Sequence, residues 1–292
     1  MKHVTVLLRE AVESLALRSD SVVVDATYGA GGHAAVIATQ LGQHGTLILL
    51  DADPTAFSAG TPKTEATLHT SVSNFRHVDT TVRGCGVTKV DAMLADLGWR
   101  QDQFTDGGKG FSFSADEPLA MTFGEPTTYP FTAADIVNNW NEAAIADVIY
   151  AYGEDRQARR IARAIVTARA KQSIDTAAAL ATIVAETVRR PGRSKIHPAT
   201  KTFQALRIAV NDELCALEEF LLSAKHLLVS GGRLSIITFH SIEDRIVKQT
   251  FKAWEVAGEA ERLTKKPVVP SDAEVKQNPR ARSAKLRTII IR

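Results

Sequence analysis

Over the first hundred residues, short apolar runs alternate with amphipathic stretches. Ser21-Val22-Val23-Val24-Asp25 is a short β-branched run that ends in an acid. A glycine-rich turn follows, Ala26-Thr27-Tyr28-Gly29-Ala30-Gly31-Gly32-His33, and then a helix over 34–41. Gly45-Thr46-Leu47-Ile48-Leu49-Leu50-Asp51 is a second apolar strand ending in an acid. Asp53-Pro54 opens a second helix, since proline suits a helix's first turn. Residues 90–96 form a third strand, ending in Asp96. Runs apolar on both faces, separated by helices, predict a parallel sheet covered on both sides.

The pattern changes near Leu97. Residues 102–130 are rich in Gly, Ser, Thr, Asp and Pro and read as loop. Several helices then follow to about Arg190. Thr132-Ala133-Ala134-Asp135 is a capped helix start. A helix over 152–171 puts Ile161, Ala162, Ile165 and Val166 on one stripe and Arg156, Arg160 and Arg163 on another. Pro191-Gly192 ends this pattern. After Asn211 the alternation resumes, with a helix over 213–228, a turn at Gly231-Gly232, a strand over 233–239, a helix over 242–251 and a last strand over 286–291. The expectation is one α/β domain, formed by 1–104 and 201–292 and split by a helical insertion over 105–200. No internal repeat is present.

The turn after the first strand suits a nucleoside-containing cofactor. Glycines admit positive φ and close approach of a ligand to the backbone. Asp51, at the end of the next strand, can accept hydrogen bonds from both ribose hydroxyls. Two readings fit. Gly29, Gly31 and Ala34 satisfy the dinucleotide pattern G-x-G-x-x-[GA]. Against that, Asp25 ends the preceding strand and Thr27 lies in the turn, as in the first motif of S-adenosylmethionine methyltransferases. Asp96 adds a carboxylate at the same sheet edge. These residues favour a methyltransferase and leave a nicotinamide dehydrogenase, or a turn with no ligand, open.

Composition changes the picture little. The 292 residues are 45% hydrophobic and 23% charged, ordinary for a soluble globular protein. No apolar run is long enough to span a membrane, and the first ten residues lack a signal-peptide core. The expected location is cytoplasmic. Cys85 and Cys215 form no CxxC pair and the histidines are scattered, so no metal site is read. Net charge is only +2, but residues 262–292 hold nine Lys and Arg against Asp272 and Glu274. Such a segment can hold phosphate or can simply be solvated.

Five segments carry a resemblance. They are Gly29-Ala30-Gly31-Gly32-His33; residues 152–166, opening Tyr152-Gly153-Glu154-Asp155-Arg156; residues 197–211, opening His197-Pro198-Ala199-Thr200-Lys201; residues 231–248, with Thr238-Phe239-His240-Ser241-Ile242-Glu243-Asp244; and Asn278-Pro279-Arg280-Ala281-Arg282-Ser283. In this order, and nearly end to end, they closely resemble the bacterial 16S ribosomal RNA cytosine-N4 methyltransferases (the RsmH, formerly MraW, family). The resemblance implies a Rossmann-like class I methyltransferase domain with an inserted helical domain. It implies S-adenosyl-L-methionine as cofactor and 16S rRNA of the small ribosomal subunit as partner, with methyl transfer to N4 of cytosine 1402 in the decoding region. Neither a membrane nor a metal partner is expected, and both monomer and homodimer stay open.

By the same resemblance Gly31, Gly32 and His33 contact the cofactor, Asp51 binds its ribose, Phe75 lies near its adenine, and Asp96 and Gln103 flank the loop after the third strand. Each also has a plain structural reading: Gly32 as turn geometry, His33 as a first-turn residue, Phe75 as core. Asp96 is the candidate catalytic residue, because an exocyclic amine needs an acceptor for its hydrogens. Trp99 has the spacing of an aromatic that stacks on an extruded base, or packs under its loop. Arg156, Arg159, Arg160, Arg163, Lys195, His197, Lys201, His240, Arg280, Arg282, Lys285 and Arg287 are candidate RNA contacts. The helix arginines can instead pair with Glu154 and Asp155.

Two stretches depart from the family pattern. Trp99-Arg100-Gln101-Asp102-Gln103 replaces the usual Val-Ser-Ser-Pro-Gln, and Glu117-Pro118-Leu119-Ala120-Met121-Thr122-Phe123-Gly124 replaces Gly-Pro-Leu-Asp-Met-Arg-Met-Asp. They leave open a catalytically weakened S-adenosylmethionine-binding protein associated with the ribosome, or a methyltransferase of another nucleic acid.

Overall fold

The computed structural model describes residues 4–98, 108–113, 116–188 and 197–292. The strands are β1 (Val22–Asp25), β2 (Thr46–Asp51), β3 (Thr67–Val72), β4 (Val90–Asp96), β5 (Leu228–Thr238), β6 (Ala260–Arg262) and β7 (Lys285–Ile291). The helices are α1 (Leu8–Leu15), α2 (Gly32–Gln40), α3 (Val78–Gly84), α4 (Ala133–Asn139), α5 (Glu142–Gly153), α6 (Ala158–Arg169), α7 (Ala177–Thr187), α8 (Thr200–Asn211), α9 (Glu213–Leu227), α10 (Ser241–Val256) and α11 (Asp272–Gln277). The chain divides into two compact units, Met1–Gly98 with Leu214–Arg292, and Trp99–Glu213.

In the first unit the strands form one sheet in the order β3-β2-β1-β4-β5-β7-β6. The first five run parallel, and β7 pairs antiparallel with both β5 and β6. The architecture is Rossmann-like. Successive side chains of a strand point to opposite faces, and here both faces are buried. Val24, Ile48, Leu50, Met93 and Ile236 pack with Phe220 of α9 and Phe251 of α10. Val23, Leu47, Leu49, Leu94 and Ile237 pack with Leu15 of α1 and with Ala34 and Ile37 of α2. That double burial is why these strands read as continuous apolar runs.

Several expectations need correction. The helix expected at Asp53-Pro54 is a 3-10 turn, Pro54–Phe57, capped by the Asp53 side chain. Gly60, at φ 92°, and Pro62 prevent its extension. The single helix expected over 152–171 is two. α5 ends at Gly153, Glu154 takes a left-handed φ of 49°, and the Asp155 carboxylate accepts the Gln157 N–H ahead of α6. Arg156 therefore precedes the helix that carries Arg159, Arg160 and Arg163. Gly231-Gly232 lies inside β5, where the register against β4 shifts between Val90 and Ala92. β3 and β6 were not anticipated.

The second unit packs α4 to α8 around Ile136, Ile149, Ile161, Ile165, Leu180, Val184 and Leu206. Thr132 and Asp135 form a capping box at α4, as its sequence predicts. Residues 117–124 belong to this core. Leu119 and Met121 are fully buried there, and Asn211 clasps the segment through the Met121 carbonyl at 2.8 Å and the Phe123 N–H at 2.9 Å. Among the described residues, no helix is long and apolar enough to cross a membrane.

Candidate functional site

Three neighbouring parallel strands, β2, β1 and β4, each end in an acid: Asp51, Asp25 and Asp96. Parallel pairing puts these C-terminal ends at one sheet edge, where open α/β sheets bind ligands. Asp25 is 1% exposed. Its Oδ1 accepts the Thr27 N–H at 3.2 Å, while Oδ2 is buried with no hydrogen-bond partner. The Asp96 N–H donates to Thr27 Oγ1 at 2.6 Å, and Asp96 Oδ1 is likewise buried and unpartnered. Asp51 Oδ2 accepts the Gly29 N–H and Oδ1 the Asp53 N–H, both at 2.8 Å.

This grouping is electrostatically loaded. Burial, reinforced by the Asp51 charge, pushes the Asp25 carboxyl up to about 7. Burial also holds Asp96 well above the ordinary carboxylate range, with Asp25 and Glu243 adding to the effect. A cationic ligand would relieve all of this at once.

The glycine turn is shaped by close contacts as well as by φ. Gly31, at φ 77°, is the N-cap of α2, and a Cβ there would lie 2.7 Å from the Tyr28 hydroxyl. A Cβ on Gly32 would lie 1.8 Å from Thr5 Oγ1. Gly32 is therefore required by the N-terminal segment, whatever else it does. That segment also reaches His33, which is 5% exposed and donates from Nε2 to the Val6 carbonyl at 3.2 Å. The other ring nitrogen, Nδ1, lies 3.7 Å from Asp96 Oδ2. The segment is itself tied down: the Leu7 N–H donates to Glu274 Oε1 at 2.8 Å, and Asn278 Nδ2 donates to the Val4 carbonyl at 3.1 Å. Thr5 and Val6 carry no local motif, Glu243 stands only inside a longer stretch of resemblance, and sequence reasoning gave none of the three a role.

Phe75 begins the 3-10 turn Phe75–His77 after β3. It is half-buried and meets Phe220 edge-on at 5.5 Å. His240 is the N-cap of α10, in a capping box whose Glu243 carboxylate accepts the Phe239 N–H at 2.9 Å. Arg280 and Arg282 are exposed on the 3-10 turn Pro279–Ser283. Lys285 and Arg287 serve Asp244, at 2.8 and 2.7 Å. Their guanidinium and ammonium charges outweigh burial and hold the Asp244 carboxyl below its usual range.

In the second unit Arg156, Arg159, Arg160 and Arg163 are all exposed. Arg163 lies 3.5 Å from Glu142, rather than pairing with Glu154 or Asp155. Lys201 Nζ donates to the Glu154 carbonyl at 2.8 Å and so caps α5. His197 stacks on Phe113 at 4.4 Å. Trp99, Gln103 and Lys195 lie outside the described residues. The first unit thus brings Gly31, Gly32, His33, Asp51 and Asp96 together around one turn.

The chain resembles known proteins along its whole length. The whole chain, residues 1–292, matches the MraW methylase family. A protein of Symbiobacterium thermophilum named ribosomal RNA small subunit methyltransferase H is 45% identical over 309 aligned positions, covering 99% of this chain and 96% of the relative. Proteins of the same name from Brevibacillus brevis and Deinococcus radiodurans are 41% and 45% identical. Each alignment covers 98% of this chain, and 96% and 88% of the relatives. S-adenosylmethionine, with its sulfonium and ammonium charges, suits the two unpartnered carboxylate oxygens, and the positive-φ glycines leave room for it beside the backbone. The chain belongs to the MraW methylase family, whose methyl donor is S-adenosylmethionine.

Proposed function

We propose that this protein methylates N4 of a cytosine in 16S ribosomal RNA, cytosine 1402 of the decoding region by its family resemblance. The single observation that carries the donor half of this reading is the acidic rim. Asp25 and Asp96 present buried, unpartnered oxygens beside Asp51. A cationic nucleoside relieves that charge, whereas a dinucleotide's pyrophosphate would add to it. The relatives' names supply the small-subunit rRNA half.

The cofactor supplies a methyl group already activated on sulfur, so the chain's work is positioning and polarisation. Asp51 is placed to accept from the ribose hydroxyls while it holds the glycine turn. Gly31 and Gly32 keep side chains out of the turn, and His33 follows them on α2. Phe75 offers an aromatic edge beyond β3. Asp25 offers its free oxygen to the donor's positive end. Asp96 serves the acceptor: a cytosine amine attacks only when its lone pair is localised, and a carboxylate accepting its N–H promotes that.

Phosphate contacts are assigned to Arg156, Arg159, Arg160, Arg163, His197 and Lys201 in the second unit, and to Arg280 and Arg282 in the first. RNA recognition falls mainly to the helical insertion, and a ribosomal substrate implies a cytoplasmic enzyme. The test is to incubate the protein with labelled S-adenosylmethionine and immature small subunits and to map the modified nucleotide. N4-methylcytosine at 1402 is the expected product. Label elsewhere would redirect the reading to another nucleic-acid target, and cofactor binding without transfer would reduce it to a ribosome-associated binding protein.

A further inference from the structure

We propose that His33 is a positioning residue for Asp96: it carries the proton that keeps this buried acid ionised, and so an acceptor for the amine. The proposal rests on the amino-methylation reading above and gives His33 a task distinct from touching the cofactor.

The geometry fixes the proton's place. The Val6 carbonyl can only accept, so His33 Nε2 must carry a hydrogen. Nδ1 then faces Asp96 Oδ2 at 3.7 Å, and both groups are largely shielded from water. A proton on Nδ1 makes that approach an attractive ion pair, and the proposal places it there. The Val6 end is firm, because the flanking backbone is tied to Glu274 and Asn278. Such an outer partner fixes which nitrogen of an imidazole meets the working group.

Every other titratable group raising the Asp96 proton affinity is acidic. Asp25 acts from β1 and Glu243 from α10. His240 lies beyond Glu243, with its Nε2 3.2 Å from Glu243 Oε1. Thr27 Oγ1 already takes the Asp96 N–H. Among the described residues, His33 is the ion-pair partner of Asp96. Burial and those two acids favour a protonated Asp96, and an imidazolium at His33 is the positive charge set against them. A protonated carboxyl would have no capacity to receive another proton there.

The balance of the step shows why this matters. The N4 lone pair forms the new bond to the methyl carbon. The carbon–sulfur bond breaks with its electron pair left on sulfur, and the positive charge passes to N4. N4 then loses one proton to the Asp96 carboxylate, which releases it to water once the product has left. Only an ionised Asp96 can take that proton.

Two measurements test this. The first is an NMR titration of the His33 imidazole in the full chain, without RNA. His33 should titrate above the ordinary value of about 6.5, and Asp96→Asn should lower it by about one unit or more. Equal titration in the two proteins overturns the pairing. The second is the pH–rate profile of His33→Gln in a single turnover, since glutamine keeps a donor for Val6 but carries no charge. The rising limb should move about one pH unit or more to the alkaline side at saturating cofactor. A uniformly lower rate with an unmoved limb overturns the proposal. A wild-type chain that methylates no amino nitrogen sinks the amino-transfer reading, which the RNA-free titration does not depend on.

Discussion

The carboxylate of Asp51 accepts the backbone N–H of Gly29 at 2.8 Å, so the acid that ends β2 braces the turn that follows β1. One residue thereby shapes the glycine turn and, in the proposed function, accepts from the cofactor's ribose. Asp51→Ala should remove both effects. Hydrogen bonds to a charged acceptor contribute about 1.5–3 kcal/mol each, so cofactor affinity should fall roughly tenfold to a hundredfold. Isothermal calorimetry with S-adenosylmethionine measures this directly.

Gly32 and Thr5 should behave as a coupled pair. Adding a Cβ at Gly32 places it 1.8 Å from Thr5 Oγ1 and 2.9 Å from Thr5 Cβ. Gly32→Ala should lose about 1–3 kcal/mol of stability, the usual range for overpacking. Thr5→Gly removes both contacts and should restore most of that loss in the double variant. A double-mutant cycle by urea denaturation gives the coupling.

Asp25 should make the folded chain weaken as pH rises. Its folded value of about 7 lies above the ordinary carboxyl value of 3.8, so between them the folded state keeps a proton that the unfolded state has released. Stability contributed in this way is present at about pH 4 and falls as pH climbs toward about 7. Asp25→Asn should be more stable than wild type at pH 7.5 and gain little or nothing at pH 4. Denaturation midpoints at the two pH values decide it. Bound S-adenosylmethionine should flatten the wild-type slope.

The Asp244–Arg287 pair predicts the opposite dependence. Asp244 is held below its usual range, so its contribution is present above about pH 4 and is lost as pH falls through the folded value. Arg287→Met leaves a buried carboxylate with only the more exposed Lys285, and should destabilise by about 3–5 kcal/mol at neutral pH. The loss should shrink in acid, where Asp244 is neutral. Thermal unfolding across pH 3–7 would show a converging pair of curves; parallel curves would exclude this account.

RNA affinity should depend steeply on salt. Arg156, Arg160 and Arg163 are exposed in the second unit. If each contacts phosphate, neutralising any one should reduce the slope of log affinity against log salt by about one. Filter binding of the single alanine variants between low and moderate salt measures this. An unchanged slope in all three would remove this stretch from the RNA surface.

Much of the architecture was legible because its strands are buried on both faces. Residues such as Leu47, Ile48, Leu49 and Leu50 must all be apolar when successive side chains enter different cores. The acids ending β1, β2 and β4 stood out because each closes an apolar run, although β4 also holds Asp91 near its start. β3 was missed because it is a sheet-edge strand of largely polar residues, Thr67-Leu68-His69-Thr70-Ser71-Val72, and none of them is fully buried. The break before α6 was missed because Gly153 is small for a distant reason: a Cβ there would lie 2.6 Å from the Lys201 carbonyl. In the site, Asp51 and the glycines announced themselves by position. The hold of Val6 on His33 did not, since a backbone carbonyl has no sequence signature.

The place of β7 between β5 and β6 has a consequence for how the protein is made. β6 emerges from a translating ribosome before β7, the strand that joins it to the rest of the sheet. Glu274, which fastens Leu7, is synthesised 267 residues after its partner. A nascent chain can assemble the five parallel strands before its last segment is made, but it must wait for that segment before the turn proposed to hold the methyl donor is locked. Chains released early should therefore accumulate as folded-looking proteins that grip the methyl donor poorly.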